Sequence, residues 1–147
     1  FFAPLDVQAG PRRGANADAW DGYAACRNRI TAGLAGARNP VVLTGDVHAH
    51  WAAEISDPRL GPVATELVTT SISSGGDGSD YRPAVGAILG ENPHIKYFGD
   101  RRGYVRTRIT ADELRADFRT LAFVTRPGAP ARTDATFVIA DRVPALT

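Results

Sequence analysis

Pro40-Val41-Val42-Leu43-Thr44-Gly45-Asp46-Val47-His48 is the stretch on which the fold turns. Val41 to Leu43 is short, continuous and apolar, bounded by a proline and a glycine. Such a run reads as a strand buried on both faces, in a sheet covered by helices. Gly45 permits a sharp turn off its end, which is where α/β sheets tend to place their sites. Two metal-ligating residue types, Asp46 and His48, then stand two apart. On extended backbone, side chains at i and i+2 share one side, with Cα atoms roughly 6.5–7 Å apart. A two-metal hydrolytic site holds its ions about 3.5–4 Å apart, so one ligand can reach each metal. The carboxylate suits a hard cation such as calcium, and the imidazole suits iron or zinc. The plainer reading stays open beside this one: Asp46 caps a turn and His48 is a hydrogen-bonded core residue.

Upstream, Asn39-Pro40 ends a helix expected over residues 18–37, because the residue before proline avoids the helical region. Asp18 is the expected N-cap, with Asp21 favourable for the helix dipole. Tyr23, Cys26, Ile30, Leu34 and Ala37 fall at helical spacing and mark the expected buried stripe. Cys26 lies on it and reads as a core cysteine, buried and bound to no metal. Residues 1–17 read as irregular, punctuated by Pro4, Gly10, Pro11, Gly14 and Asn16, with a basic spot at Arg12-Arg13.

Downstream, Trp51 to Ile55 reads as a strand or a helical turn, and Val63 to Ile72 as a β-branched strand. Ser73 to Ser79 is a loop by composition, and a short helix is expected over about Pro83 to Leu89. Three strands follow: Gly103–Thr110, Leu114–Thr125 and Ala135–Ala140, with turns at 110–113 and 127–130. Leu114, Ala116 and Phe118 alternate with Arg115, Asp117 and Arg119, as in a half-solvated antiparallel strand. The order of helix, buried strand and antiparallel strands predicts an α/β fold, the edge of a layered sandwich with a β-rich end. Nothing obvious in the chain covers both faces of Val41 to Leu43, so strands and helices from upstream sequence are expected beside it.

The 147 residues are 44% hydrophobic and 22% charged, an ordinary globular composition. The balance of 17 basic to 16 acidic residues argues against a nucleic-acid surface or a polybasic membrane patch. The single cysteine forbids an internal disulfide. No stretch approaches the roughly 20 apolar residues of a membrane helix. The chain opens Phe1-Phe2-Ala3-Pro4 with neither an initiator Met nor a signal peptide, and reads as cut from something longer.

Val41 to His48 followed by Trp51-Ala52 resembles the metal-binding segment of PhoD-type alkaline phosphatases. Three further stretches agree with that resemblance. Thr65-Glu66-Leu67-Val68-Thr69-Thr70-Ser71-Ile72 runs into Ser74 to Gly78, and Asn92-Pro93-His94-Ile95-Lys96-Tyr97-Phe98 into Arg101 to Arg106. Trp20-Asp21-Gly22-Tyr23 resembles the helix start before that strand. The resemblance spans about residues 20 to 140. It implies part of a calcineurin-like metallophosphoesterase sandwich, with 1–147 as the C-terminal portion of the catalytic domain. It implies ferric iron and calcium as cofactors, with Asp46 as the calcium ligand and His48 as the iron ligand. It further implies phosphomonoester and phosphodiester hydrolysis, and a secreted, periplasmic or cell-envelope location. The family's earlier ligands belong upstream: a bridging aspartate, an asparagine, and an iron-binding cysteine and tyrosine. No matching segment precedes residue 20, so the N-terminal portion of the enzyme, in the same or a separate chain, is the expected partner.

His50 departs from the resemblance, which has a small hydroxyl residue there. It reads as a third ligand, a phosphate contact or a surface histidine near the site. Trp51 and His94 are candidates to line the cleft, with a turn-stabilising role equally open for His94. The Ser74–Gly78 loop lacks the Lys and following helix of a P-loop, which favours a tight structural turn over a phosphate cradle. No nucleophile elbow surrounds Ser71, Ser73 or Ser74. Arg101-Arg102 reads as an exposed loop pair, with phosphate attraction as the other option. The competing functional class is a non-catalytic, β-rich partner or stabilising module, which needs no metal.

Overall fold

A computed structural model of the chain describes residues 17–147; the reading of residues 1–16 as irregular lies outside it. Within it, the upstream helix, α1, spans Ala24–Leu34, shorter than expected at both ends. Asp18 does not cap it: residues 17–22 form turns, and Tyr23 at the N-cap makes no side-chain capping bond. The reason lies at Gly22. A Cβ there would stand 1.8 Å from the Ala17 carbonyl oxygen, so the chain folds tightly back where a longer helix would have run straight. The expected stripe is corrected as well. Thr31 is buried, and Leu34 and Trp20 pack on the sheet below, but Tyr23 and Ile30 are exposed and Cys26 is only half-buried. Only the C-terminal turns of α1 lie against the core, so helical spacing overstates its buried face.

Seven strands follow: β1 (Val41–Thr44), β2 (His50–Asp57), β3 (Gly61–Val68), β4 (Ile95–Gly99), β5 (Gly103–Ile109), β6 (Glu113–Thr120) and β7 (Arg132–Ala140). The second helix, α2 (Val85–Glu91), lies between β3 and β4. The Trp51–Ile55 ambiguity resolves as strand. β3 ends at Val68, four residues short of the expected Ile72, because Thr69 onward leaves the sheet for the loop. β4 was not expected. In it Ile95 is buried while Tyr97 and Phe98 are both half-buried, so no clean alternation marks it.

The first sheet has the order β1-β3-β2-β4, with β1 parallel to β3 and β2 antiparallel to both its neighbours. The second, β5-β6-β7, is an antiparallel meander. One face of the first sheet packs Ala53, Ile55, Ala64 and Ile95 against Trp20, Leu34, Ile88 and Leu89 of the helical layer. Its other face meets the second sheet through Ala52, Leu67, Ala116 and Phe118, joined by Tyr97 and Phe137. Phe118 is the pivot, in ring contact with Tyr97 at 4.9 Å and Phe137 at 5.9 Å. The Tyr97 hydroxyl crosses between the sheets to Asp134, 2.6 Å away; burial, then this bond, push its pKa well up. The architecture is mixed α/β, two sheets with few helices, as a partial sandwich.

β1 stands at the edge of its sheet, and its expected burial on both faces does not hold. Val41 and Val42 are half-buried, whereas Leu43 is 67% exposed. Leu43 and Ile109 line an open cleft of about 300 Å³ between β1 and the rim of the second sheet. The described residues thus leave one side of β1 uncovered.

Candidate metal-binding site

The C-terminal ends of β1, β3 and β4 and the start of β2 lie together. Thr44 pairs with Val68, Trp51 with Val68, and His50 with Gly99. Asp46 and His48 occupy the short link between β1 and β2 at this end. The backbone there is not extended, so the same-side argument from i and i+2 spacing does not apply. Val47 N–H bonds back to the Gly45 carbonyl at 2.9 Å, closing a three-residue turn with Asp46 at its apex and φ +72°. That is the positive-φ γ-turn, which is rare and strained. His48 follows at φ +53°. Asp and His are among the residues that visit this region most readily, at roughly 1–2 kcal/mol for an ordinary residue. Both side chains are exposed, as is Val47 between them. Two strained, exposed, ligand-type residues in one link are held because both ends of the link are fixed. Such clustering is characteristic of functional sites.

The other residues singled out in the sequence separate. His50 is 0% exposed and so does not line a solvent-reachable cleft. Its Nδ1 accepts the Thr70 N–H at 3.2 Å, and its ring stands edge-on to Phe118 at 5.2 Å. Burial is the main cause that lowers its pKa. It anchors the start of β2 to the chain leaving β3. Trp51 faces the helical layer, in ring contact with Phe98 at 4.6 Å. His94 is remote from the link: its carbonyl accepts the Glu54 N–H, beside the middle of β2, about four residues or ~13 Å along from His50.

The Ser74–Gly78 loop is a structural turn. Its Gly75, Gly76 and Gly78 all have positive φ, and a Cβ on Gly78 would stand 2.0 Å from the Asp100 carbonyl oxygen. Arg102 braces it from within, donating to Ser71 Oγ at 2.8 Å and the Ser74 carbonyl at 2.7 Å. Asp77 accepts from Val124 N–H, Thr125 N–H and the Thr125 hydroxyl; the Val124 bond is the largest of the causes that lower its pKa. The reading of Arg101-Arg102 as an exposed pair is corrected, since Arg102 is 2% exposed. Arg101 forms a bidentate pair with Asp80, both bonds at 2.7 Å. Both arginines are committed to holding loops at this end.

Sequence reading gave no role to Glu66, a fully buried carboxylate in β3. The signal was available: an acid inside a strand whose neighbours are all buried. Its Oε1 accepts the Thr44 hydroxyl at 2.6 Å, one residue before Gly45. Among the described residues, no group of three His, Cys, Asp or Glu side chains converges to hold a metal. Asp46 and His48 are thus two donor-type side chains that no third such group joins among the described residues.

A family model described as "PhoD-like phosphatase" matches residues 1–118. The chain is 44% identical to alkaline phosphatase D of Bacillus subtilis (strain 168), over 94% of its own length and 25% of that relative's. A solved structure titled "Structure of PhoD" superposes on the whole chain with a TM-score of 0.88 and 42% identity, covering 29% of the solved chain. The chain thus spans about a quarter of the curated relative's length. On the family match across most of its residues, this chain belongs to the PhoD-like phosphatase family.

Proposed function

We propose that residues 1–147 form the C-terminal portion of the catalytic domain of a metal-dependent phosphoester hydrolase, and that Asp46 and His48 are metal ligands in its active site. The observation that carries this is the strained, exposed Asp46-Val47-His48 link at the end of β1, in a chain of the PhoD-like phosphatase family. The donor set fits. Asp46 supplies a hard oxygen suited to calcium, and His48 a borderline nitrogen suited to ferric iron. The remaining donors come from the rest of the enzyme, which also covers β1. Bound together, the two ions would supply Lewis acidity and charge neutralisation for in-line attack of water on phosphorus.

This chain's own part is positional. The γ-turn and the following left-handed residue fix where the two donors stand, and neither attacks the substrate. Arg101 and Arg102 are spent on Asp80, Asp100 and the loop backbone, so the charge of the phosphoryl group is not met by them. Phosphomonoesters and phosphodiesters are both proposed substrates. Export to the medium, periplasm or cell envelope is proposed on kinship alone, and fractionation of the producing cell checks it. No described helix is long and apolar enough to cross a membrane.

The test uses the complete enzyme. Asp46→Ala should mainly lower calcium content and His48→Ala iron content, each with turnover falling about 10²- to 10³-fold on nitrophenyl phosphate or its diester. Full activity with unchanged metal in His48→Ala would sink the assignment. A complete enzyme that binds no metal and leaves both esters intact would make this chain a stabilising module instead.

A further inference from the structure

Glu66 is a buried acid that the proposed chemistry does not use. Burying a carboxylate is costly unless it is well bonded, and the buried stretch of this strand is otherwise Val63, Ala64, Leu67 and Val68, with Thr65 its one other polar residue. In register, Glu66 stands opposite Val42 of β1, yet its carboxylate reaches diagonally to Thr44, two residues on. The Thr44 hydroxyl donates to it at 2.6 Å. Thr44 is held a second time through its backbone, whose carbonyl accepts the Thr69 N–H at 2.9 Å. The next residue, Gly45, begins the γ-turn that presents Asp46. On the far side of the link, His50 is tied to Thr70. The strained link therefore hangs between two anchors, both made to β3 and the residues that leave it.

We propose that Glu66 is a positioning residue: through Thr44 it fixes the end of β1, and so the place from which Asp46 and His48 are presented. The proposal rests on the metal-ligand reading above. It predicts that the pair can be removed without loss of fold but not without loss of rate. A group displaced by a fraction of an ångström at a reacting centre costs turnover, not core packing.

The experiment is a set of variants of the complete enzyme. Thr44→Val alone removes one hydrogen bond from a buried carboxylate, so both stability and activity should fall. Thr44→Val with Glu66→Gln removes the bond between the two side chains and keeps a polar amide for the other contacts of position 66, which limits the cost to folding. That double variant should melt within a few degrees of wild type while kcat falls about tenfold, with KM changed less than about twofold. Thr44→Ser, which keeps the hydroxyl, should restore kcat. Wild-type kcat in the folded double variant, with Asp46→Ala still impaired, would overturn the positioning role alone. Wild-type kcat and metal content in Asp46→Ala and His48→Ala would overturn this inference and the ligand reading together.

Discussion

In the sheet β5-β6-β7, every pair of strands adjacent in sequence is adjacent in space; in the sheet β1-β3-β2-β4 only β2 and β3 are, while β1 and β4 pair with strands that are not their sequence neighbours. The meander closes by local turns, such as Thr110 N–H to the Glu113 carbonyl at 2.9 Å. Its polar side carries Arg106, Arg115 and Thr136, all bonded to Asp117. The other sheet places β3 between β1 and β2, so that β1 finds a parallel partner beyond its own sequence neighbour. That crossing brings Glu66 to Thr44 and sets the Asp46–His48 link at an end where four strands and two braced loops meet. The meander pairs its strands through local turns and meets the other sheet through Phe118 and Asp134. The mixed sheet is held by non-local contacts that converge on one strained link. The chain thus separates a locally connected meander from a sheet whose distant pairings carry the proposed ligands.

The largest expected effect breaks the comparison at the point the sheets share. Phe118→Ala should destabilise the protein by about 3–5 kcal/mol, because the ring is buried between both sheets with His50, Tyr97 and Phe137 around it. Denaturant unfolding followed by a probe in each sheet should show one shared transition. Two separate transitions would mean that the sheets are independent.

The ligand substitutions sharpen the comparison from the other side. Asp46→Ala and His48→Ala should lower the urea midpoint of the metal-free enzyme only slightly, since alanine tolerates positive φ less well than Asp or His but the change exposes no core. A drop comparable with that of Phe118→Ala would show the link to be part of the core.

Next in size is Gly103→Ala. A Cβ at this first residue of β5 would stand 1.9 Å from the Arg119 carbonyl oxygen, so the two strands must part. The expected cost is about 1–3 kcal/mol, from overpacking. Hydrolysis by the folded fraction should remain normal, because the damage lies in the meander. Selective loss of turnover at full stability would contradict the division between the sheets.

The smallest effect concerns acid. Hydrogen bonds from Arg106 first, then Thr136, hold the Asp117 carboxyl at about 2. Its folded pKa lies below the unfolded value of about 3.9. Its stabilisation is therefore complete above that value and is lost as pH falls toward 2. Asp117→Asn should flatten the stability profile between about pH 4 and pH 2 and leave the neutral activity profile alone. An unchanged acid slope would remove Asp117 as its source.

Sequence by itself determined the meander, the strand at Val41 and the loop at Ser73–Ser79. Strand alternation with period two, turn chemistry and glycine at positive φ are local properties, readable where one face is wet. It also determined Asp46 and His48 as ligand-type residues beside a strand end. It could not give their presentation: extended spacing implied a shared side, whereas a γ-turn and a left-handed residue set them out. Nor could it separate His50 from His48, since burial under Phe118 comes from a strand nearly seventy residues away. The exposed Leu43 and the buried Arg102 share that cause. Each depends on which surface lies opposite, and that is decided only when distant strands pair. Glu66 is the clearest case. An acid in a buried strand is visible in the sequence, but its partner is chosen by a parallel register that no local pattern encodes.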